Sequence, residues 1–322
     1  MVYTKQKQIK ELKEGDPVKD IFVVKAKTGV NSYAKGFRIS LILSDSSGLN
    51  LEYTYWGDTN EDRINEIYKN IKSDSVVLIQ GKVNSYRDKL QLSSNAVEEP
   101  VVLKSDEYDA NFISKSKKDV EMLSQEIKKK LEKISDDNIK NFVLKVYSDI
   151  ENNFKNHPGA MAVHHNWRGG LLEHTYEVMK ICENCKNLFD SLDENLLIAG
   201  AFLHDIGKLE ELEMTSKIKR SQRGQLIGHL TLGIIKVNEY LEKLDLDELT
   251  KDKFLHIITS HHGKEEFGSP KKPMFPEALA IYYADELSSK ISAMINFKEE
   301  MQELTEDDFA YYKLDGKNIF LK

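Results

Sequence analysis

Histidine and aspartate side chains recur along the second half of the chain in a set that suits metal binding. In order they are His174, the pair His204-Asp205, His229, the pair His261-His262 and Asp285. Imidazole nitrogen and carboxylate oxygen together suit a first-row transition metal such as Mn, Fe, Co, Ni or Zn. The set exceeds what one tetrahedral ion uses and suits two ions that share a bridging carboxylate. Paired ions of this kind activate water and clamp a phosphoryl group, so the set predicts a metal-dependent phosphohydrolase.

The elements that must position these groups are helices, several of which end at a ligand. The apolar run from Leu196 to Leu203 predicts a buried helix that Gly207 terminates, directly after His204-Asp205. A buried His and Asp need partners, because an isolated charge there is costly. Five predicted helices would each bring one or two ligands to one point: those that start near residues 170 and 229, and those that end near residues 203, 260 and 284.

This ordered set resembles the HD-domain superfamily of metal-dependent phosphohydrolases. The residues that carry the resemblance are His174, His204-Asp205, Gly207-Lys208 and Asp285, with His229 and His261-His262 as the further ligands of two-metal members. The resemblance implies one ion held by His174, His204, Asp205 and Asp285, and a second held by His229, His261 and His262. Asp205 would bridge the two ions and Lys208 would neutralise a phosphate oxygen. Asp205 and Lys208 are therefore the candidate catalytic residues.

A loop rich in glycine and polar residues, 157–170, precedes the first ligand. Its composition predicts an ordered loop that lies over the site. His164, His165 and Arg168 are close in sequence to His174, and they are candidates for contact with a substrate phosphate. The alternative is a loop held together by its own side chains.

The composition is that of a soluble intracellular enzyme. At 322 residues the chain is long enough for two domains, each with its own core. No apolar run is long enough to span a bilayer, residues 1–7 lack the apolar stretch of a secretory signal, and two cysteines imply no disulfide framework. The net charge of −7 does not indicate a nucleic-acid binder, which usually carries a basic patch. Bound divalent ions would offset part of the acidity, so a polyanionic substrate is not excluded.

The first hundred residues alternate apolar and polar side chains in short segments typical of strands. Strands are predicted over residues 20–26, 37–43, 49–56, 76–83 and 89–92, with a helix over 61–71 after the third strand. Three strands, a helix and two strands is the order of a five-stranded OB-fold barrel. The expected fold class is therefore multidomain α and β, with an N-terminal OB-fold β-barrel followed by an all-α HD domain.

This region is similar to OB domains that bind nucleic acid. The residues that carry the similarity are Lys35-Gly36-Phe37, Leu41, Leu43, Asp45, Gly48 and Trp56. In such domains the face of the second and third strands carries aromatic and cationic side chains that stack bases and hold phosphates. The candidates for nucleic-acid contact are Lys35, Arg38, Trp56, Tyr86 and Arg87. The alternative is a Trp56 that caps the barrel among ordinary surface charges.

The domain boundaries follow from these patterns. Residues 1–100 are expected to form the OB domain, and the polar stretch 101–118 a linker or an extended strap. The helical HD domain would span residues 119–305 and begin with two helices whose apolar residues recur at helical spacing. Residues 306–322 would form a C-terminal tail that packs on its own domain or on a neighbouring subunit.

Together the two regions give the layout of the YhaM-type 3′→5′ exoribonucleases of Gram-positive bacteria, which the chain resembles over essentially its whole length. The segment 164–175 carries part of this resemblance. It implies a cytoplasmic enzyme, dependent on Mn or a similar ion, that removes nucleotides from the 3′ end of single-stranded RNA, with single-stranded DNA as a further candidate. It also implies a homo-oligomer. Ligand type alone does not choose among Mn, Fe, Co and Ni.

Two other functions stay open at this point. An HD domain can also belong to a small-nucleotide phosphohydrolase that acts on a dNTP or a cyclic nucleotide. Members that cleave cyclic dinucleotides carry Gly-Tyr-Pro after their paired histidines, where this chain has Gly268-Ser269-Pro270. An OB domain would also have no role in binding a mononucleotide. The third function is a non-catalytic nucleic-acid-binding protein that keeps metal for stability, against which the complete ligand set argues.

Overall fold

The computed structural model describes residues 2–47, 49–73, 75–86, 89–104, 107–109, 116–161, 165–214, 218–304, 307–313 and 315–322. These residues fall into two compact units, the first ending at Asp109 and the second beginning at Ser116. Each unit has an apolar core of its own. Across the described ranges, none of the helices has the length and apolar content that a bilayer crossing demands.

The first unit is a sheet-rich region with one α-helix among its described residues. Its elements are β1 (Pro17–Tyr33), β2 (Gly36–Ser44), β3 (Asn50–Trp56), α1 (Glu61–Asn70), β4 (Val76–Tyr86), β5 (Lys89–Asn95) and β6 (Val101–Val102). The strands pair in the order β1-β2-β3-β5-β4-β6, and β4 also pairs with β1. The pairing of β3 with β5 is parallel, and the other pairings are antiparallel. The first five strands and the helix follow the predicted order.

Alternation along β2 and β3 turns one face of each strand into the core. Ile39, Leu41 and Leu43 of β2 are buried, as are Tyr53 and Tyr55 of β3, whereas the residues between them are more exposed. Strand β1, at 17 residues, is much longer than predicted. Two irregularities in its register, between residues 24 and 30, bend the strand, so that its first part pairs with β4 and its second part with β2.

Residues 101–104 and 107–109, from the stretch that was expected to form a linker or strap, pack on the first unit. Strand β6 pairs with β4, and Leu103 is buried beside Ile21 and Val23. Tyr3 and Tyr108 form a parallel bridge a few residues later. The apolar run 101–103 accounts for this, because it can cover apolar side chains of the sheet that would otherwise face water.

The second unit is helical. Its elements are α2 (Val120–Glu132), α3 (Asp137–Phe154), α4 (Gly170–Leu188), α5 (Glu194–Leu203), α6 (Lys208–Glu211), β7 (Leu212–Met214), β8 (Ile218–Arg220), α7 (Gln222–Ile227), α8 (His229–Leu241), α9 (Glu248–Ser260), α10 (Pro276–Leu304), β9 (Phe309–Tyr312) and β10 (Lys317–Phe320). The prediction of an all-α domain over residues 119–305 is wrong in detail, because β7 and β8 form a two-stranded antiparallel sheet there. Strands β9 and β10 form a second short hairpin. The second hairpin lies in the expected tail, where alternating apolar residues such as Ala310 and Tyr312 turn inward.

Helix α5 is central to the second unit. Every residue from Leu196 to Leu203 is buried, and the helix begins at Asp193, whose carboxylate accepts the Leu196 N–H at 3.1 Å. A Cβ at Gly200 would lie 2.7 Å from Ile257 of α9 and 2.8 Å from Ile281 of α10. A side chain at this position would have to displace the Cδ1 ends of these two isoleucines, so glycine favours the close packing that brings the ligand-bearing segments together.

Candidate metal centre

The predicted ligands lie on five helices that converge. They are His174 near the start of α4, His204-Asp205 after α5, His229 at the start of α8, His261-His262 after α9 and Asp285 within α10. Gly207 permits part of this convergence, because a Cβ there would overlap the backbone oxygen of His229. The turn that follows Asp205 can therefore touch the start of α8 only with glycine at this position.

One carboxylate oxygen of Asp205 faces a first pair of histidines. Asp205 Oδ2 lies 3.4 Å from His174 Nε2 and 3.4 Å from His204 Nε2, and the two Nε2 atoms are 3.2 Å apart. The ligand atoms of these three residues all lie within 4.8 Å of one another. Asp285 reaches the group from α10, with Oδ1 3.1 Å from His174 Nε2.

The other oxygen of Asp205 faces a second set of histidines. Asp205 Oδ1 lies 3.4 Å from His261 Nε2 and 3.8 Å from His229 Nε2, and His262 Nε2 is 3.1 Å from His229 Nε2. These four residues also bring their ligand atoms within 4.8 Å of one another. Asp205 is thus shared by two candidate ion sites, one on each of its oxygens.

Backbone carbonyls fix the orientation of two of the histidines. Nδ1 of His204 lies 2.7 Å from the oxygen of Ala201, and Nδ1 of His261 lies 2.9 Å from the oxygen of Ile258. A carbonyl can only accept a hydrogen bond, so each Nδ1 carries a proton and donates it. In the neutral imidazole the lone pair is then on Nε2, the atom that points at Asp205, and this is the arrangement of a metal ligand.

Side chains play the same part for His229 and His174. His229 Nδ1 lies 3.1 Å from Glu211 Oε2, and His174 Nδ1 lies 3.0 Å from Ser288 Oγ. Neither Glu211 nor Ser288 was singled out from the sequence. Single Glu and Ser residues carry no signal of their own, and only the folded chain shows what they touch.

The unpartnered atoms of this cluster fit a cation. Neither oxygen of Asp205 nor Nε2 of His261 makes a hydrogen bond within the described chain, although Lys208 Nζ lies 2.6 Å from Oδ2. Burial lowers the pKa of His261 to about 3, so its ring is neutral and its Nε2 is an acceptor. An acceptor nitrogen and a carboxylate oxygen that face each other across 3.4 Å repel unless a positive ion lies between them.

Ion pairs control the charge of the remaining groups. Burial alone would raise the pKa of Asp205, but Lys208 and the neighbouring histidines hold it well below its usual value. Burial would lower the pKa of His174, yet the carboxylates of Asp205 and Asp285, 3.4 and 3.1 Å from its Nε2, outweigh that effect and raise the pKa to about 9. The centre is therefore negatively charged at its carboxylates, which are the groups that metal binding requires in ionised form.

A pocket of about 400 Å³ opens onto this cluster. Its lining includes four of the ligands, the loop 159–161 and several charged or aromatic side chains: His229, His261, His262, Asp285, Lys208, Glu211, Arg220, Tyr282, Glu286 and Lys290. Arg220 and Lys290 were not predicted, and each already has an acidic partner, Glu211 at 3.5 Å and Glu286 at 2.8 Å respectively. The volume lies in the range of small-molecule sites.

Two of the loop residues expected to contact substrate, His165 and Arg168, do not line this pocket. His165 is buried behind His174, with the ring centroids 5.0 Å apart, and its Nε2 lies 3.1 Å from Glu177 Oε2. It has a left-handed backbone, with φ of 47°. Neither His165 nor Arg168 is among the residues that line the pocket, and His164 lies outside the described residues. His165 therefore packs against α4, through His174 and Glu177.

The candidates for nucleic-acid contact divide into two places in the first unit. Arg38 and Trp56 are paired across β2 and β3, with the guanidinium carbon 5.3 Å from the Trp56 ring, and Tyr33 packs edge-on against the same ring at 4.9 Å. Lys35 is exposed in the turn between β1 and β2. Tyr86 pairs with Lys89 and so stands about six residues along β3 from Trp56, roughly 20 Å away. Arg87 lies outside the described residues.

Comparisons with known proteins gave a sequence-family match and similarity to a solved structure. Residues 171–290 match the sequence profile of the HD domain, a range that holds every histidine and aspartate of the cluster. Part of the chain is also similar to a solved structure entitled "Structure and Conformational Change of a Replication Protein A Heterotrimer Bound to ssDNA", with 18% identity and a TM-score of 0.26. The likeness covers 37% of this chain, which spans only 29% of that chain. Residues 171–290 therefore form an HD domain of the metal-dependent phosphohydrolase superfamily, and a β-rich region precedes it.

Proposed function

We propose that the protein is a metal-dependent 3′→5′ exoribonuclease that hydrolyses single-stranded RNA, and single-stranded DNA as a second substrate, to nucleoside monophosphates. The observation that carries the proposal is the two-sided environment of Asp205. Its two oxygens face different sets of histidines, as a carboxylate that bridges two ions requires. Paired ions of this kind supply an activated water and stabilise the negative charge that develops on a phosphoryl group.

The chain itself would supply the frame for that chemistry. His174, His204, Asp205 and Asp285 would hold one ion, and Asp205, His229, His261 and His262 the other. Mn²⁺ is the ion we expect, with Fe, Co or Ni as alternatives of the same ligand preference. Lys208 lies on the pocket wall beside Asp205, where its ammonium group can neutralise an oxygen of the scissile phosphate.

The first unit would supply affinity for the nucleic-acid strand. The pairings β1-β2-β3-β5-β4 and β4-β1 form a circuit, and this circuit supports assignment of the region as an OB-fold barrel. Trp56, with Arg38 beside it and Lys35 in the adjacent turn, offers an aromatic face and cations on the strands that such domains use. Binding of this type tolerates any base sequence, as a degradative exonuclease needs.

A second candidate function rests on the size of the pocket. About 400 Å³ is enough for one nucleotide. The terminal nucleotide of a strand and a free nucleotide fill such a space equally well. Hydrolysis of dNTPs or cyclic nucleotides is therefore the alternative, and it would leave the cation and aromatic pair of the first unit without a use.

The test is digestion of a short 5′-labelled single-stranded RNA with Mn²⁺, followed on a sequencing gel. A ladder that shrinks from the 3′ end and disappears with EDTA is the expected result. The same RNA with a 3′-terminal phosphate, and its DNA counterpart, measure end and sugar preference. RNA that stays intact under these conditions, together with phosphate or triphosphate release from a nucleotide panel, would replace the exonuclease with the second candidate.

A further inference from the structure

A buried polar network lies behind His174, on the side of the ring away from Asp205. Ser288 Oγ on α10 lies 3.0 Å from His174 Nδ1, and the same hydroxyl donates to Glu177 Oε2 on α4 at 2.8 Å. The other oxygen of Glu177 lies 2.6 Å from Lys118 Nζ. Ser288 is only 4% exposed, so water does not compete for the two hydrogen bonds of its hydroxyl group.

The direction of each hydrogen bond in this chain of contacts is determined. Glu177 is paired with a lysine ammonium group, so its carboxylate is ionised and can only accept. The single hydroxyl proton of Ser288 therefore points to Glu177, and the Ser288 oxygen must accept from Nδ1 of His174. This chain of hydrogen bonds, the Glu177–Ser288–His174 relay, fixes the proton on Nδ1. In a neutral His174 the lone pair of Nε2 then points towards Asp205 and Asp285.

We propose that Ser288 and Glu177 are positioning residues that hold His174 in the orientation and tautomer that bind the first ion. The inference rests on the metal centre of the proposed function. His204 and His261 receive the same support from backbone carbonyls, which no substitution can remove. His174 depends on two side chains from two different helices, so its support can be removed experimentally. Partners of this kind typically change metal affinity by about 10- to 100-fold.

The network is not itself a third ion site. His165, Glu173 and Glu177 do bring ligand atoms within 4.8 Å of one another. The positive charge that balances these two carboxylates, however, comes from Lys118. Its Nζ lies 3.0 Å from Glu173 Oε1 and 2.6 Å from Glu177 Oε1. Trp167 Nε1 and the Ser116 hydroxyl both donate to Glu173 Oε2. The carboxylates are thus satisfied by the chain, and what they hold in place is the Glu177–Ser288–His174 relay.

The test measures Mn²⁺ binding directly, by titration of the metal-free full-length protein with Mn²⁺ and detection of free Mn²⁺ by electron paramagnetic resonance. Ser288→Ala and Glu177→Gln should each weaken one Mn²⁺ site by about 10- to 100-fold and leave the other nearly unchanged. The two effects should not add in the double variant, because both substitutions interrupt one relay. Ser288→Thr, which keeps a hydroxyl group, should recover most of the affinity.

Two matched controls separate this effect from lost stability. Ser124→Ala removes another buried hydroxyl, which bonds to Tyr147 at 2.5 Å, and Glu183→Gln neutralises another paired carboxylate on α4, whose partners are Lys130 and Lys180. Both should leave Mn²⁺ affinity at the wild-type value while lowering thermal stability as much as the test variants do.

The outcomes distinguish the relay from the proposed function. Folded Ser288→Ala or Glu177→Gln protein that binds two Mn²⁺ as tightly as the wild type would overturn the relay, and so would equal losses in the controls. Wild-type protein that binds Mn²⁺ but leaves RNA intact would overturn the exonuclease and leave the relay to be judged on the affinities. Wild-type protein that binds neither Mn²⁺ nor Fe²⁺, Co²⁺ or Ni²⁺ would overturn the metal centre and the relay with it.

Discussion

Two buried aspartates, one in each unit, are surrounded in opposite ways. Asp20 in the first unit is saturated: it accepts hydrogen bonds of 2.8 to 3.0 Å from the Lys5 ammonium group and from the backbone N–H groups of Gln6, Lys7 and Ile21. Asp205 in the second unit is equally buried, yet neither of its oxygens makes a hydrogen bond within the described residues. Its neighbours are the Lys208 ammonium group at 2.6 Å and four histidine nitrogens at 3.4 to 3.8 Å.

The difference separates a structural charge from a functional one. A buried carboxylate costs free energy unless donors replace the water it has lost. The chain supplies those donors to Asp20, which ties the N-terminal segment to the sheet. It gives Asp205 one cation, the Lys208 ammonium group at 2.6 Å, and otherwise surrounds it with ligand atoms, which fit a metal ion as a further partner. Substitutions around Asp20 should therefore lower the stability of the fold, whereas substitutions around Asp205 should lower metal binding and hydrolysis.

The largest expected effect is on catalysis. Asp205→Ala removes the carboxylate that both candidate ion sites share, so RNA hydrolysis with saturating Mn²⁺ should fall by about 10³-fold or more. The metal-free variant should keep the helical circular dichroism spectrum of the wild type. Near-normal hydrolysis by this variant would remove Asp205 from the mechanism.

The next effect is on stability and lies in the first unit. Asp20→Ala leaves the Lys5 ammonium group, whose side chain is 3% exposed, buried without its main partner. This should cost about 3–5 kcal/mol in the free energy of unfolding, measured by urea denaturation, without a change in Mn²⁺ affinity. Asp16→Ala, which breaks the solvent-exposed pair with Lys7, is the matched control and should leave the urea midpoint unchanged. A drop in Mn²⁺ affinity for Asp20→Ala would show that the two clusters are not independent.

A third prediction concerns pH and the metal-free protein. The pKa of His174 is raised from 6.5 to about 9 in the folded state, so its ion pairs stabilise the fold fully below about pH 6.5. That stabilisation is lost as pH rises towards 9 and amounts to about 3 kcal/mol. Urea unfolding in EDTA at pH 6.5 and pH 9 should show the loss in the wild type and a much smaller one in His174→Gln. An equal loss in the variant would assign the pH dependence to other groups.

The smallest expected effect is on RNA binding by the first unit. Trp56→Ala should weaken the binding of single-stranded RNA by about 1–3 kcal/mol, or roughly 5- to 100-fold in affinity, because the stacking of one base is lost. Fluorescence anisotropy in EDTA measures this without cleavage. Arg38→Ala should weaken binding less at high salt than at low salt. Tyr86→Ala, at the far end of the strands, tests how far the contact surface extends, and an unchanged affinity for Trp56→Ala would leave Trp56 as a barrel cap.

The candidate ligands, which the fold brings together, could be selected from the sequence because their chemistry is rare. Few side chains bind transition metals, and an HD pair at the end of an apolar helix is an unusual place for two of them. The strands could be predicted equally well, because the alternation of apolar and polar residues, as in β2, shows which side chains face the core. The bent course of β1 could not be predicted from the sequence, because its irregularities depend on which strands it pairs with.

The supporting residues could not be found in this way. Ser288 and Glu177 meet only because α10 packs against α4, more than a hundred residues away in the chain. His165 was expected at a substrate because it is polar and near His174 in sequence. Its left-handed backbone turns the ring behind His174 instead. Proximity in sequence did not show which side of His174 the ring would take.

The central claim is that Asp205 is shared by two metal ions. Anomalous diffraction from crystals of the full-length protein soaked in Mn²⁺ tests it most directly. The account predicts two peaks per chain, one beside Asp205 Oδ2 with His174 and His204, and one beside Oδ1 with His229, His261 and His262. A single peak, or two peaks that do not both contact Asp205, would contradict it.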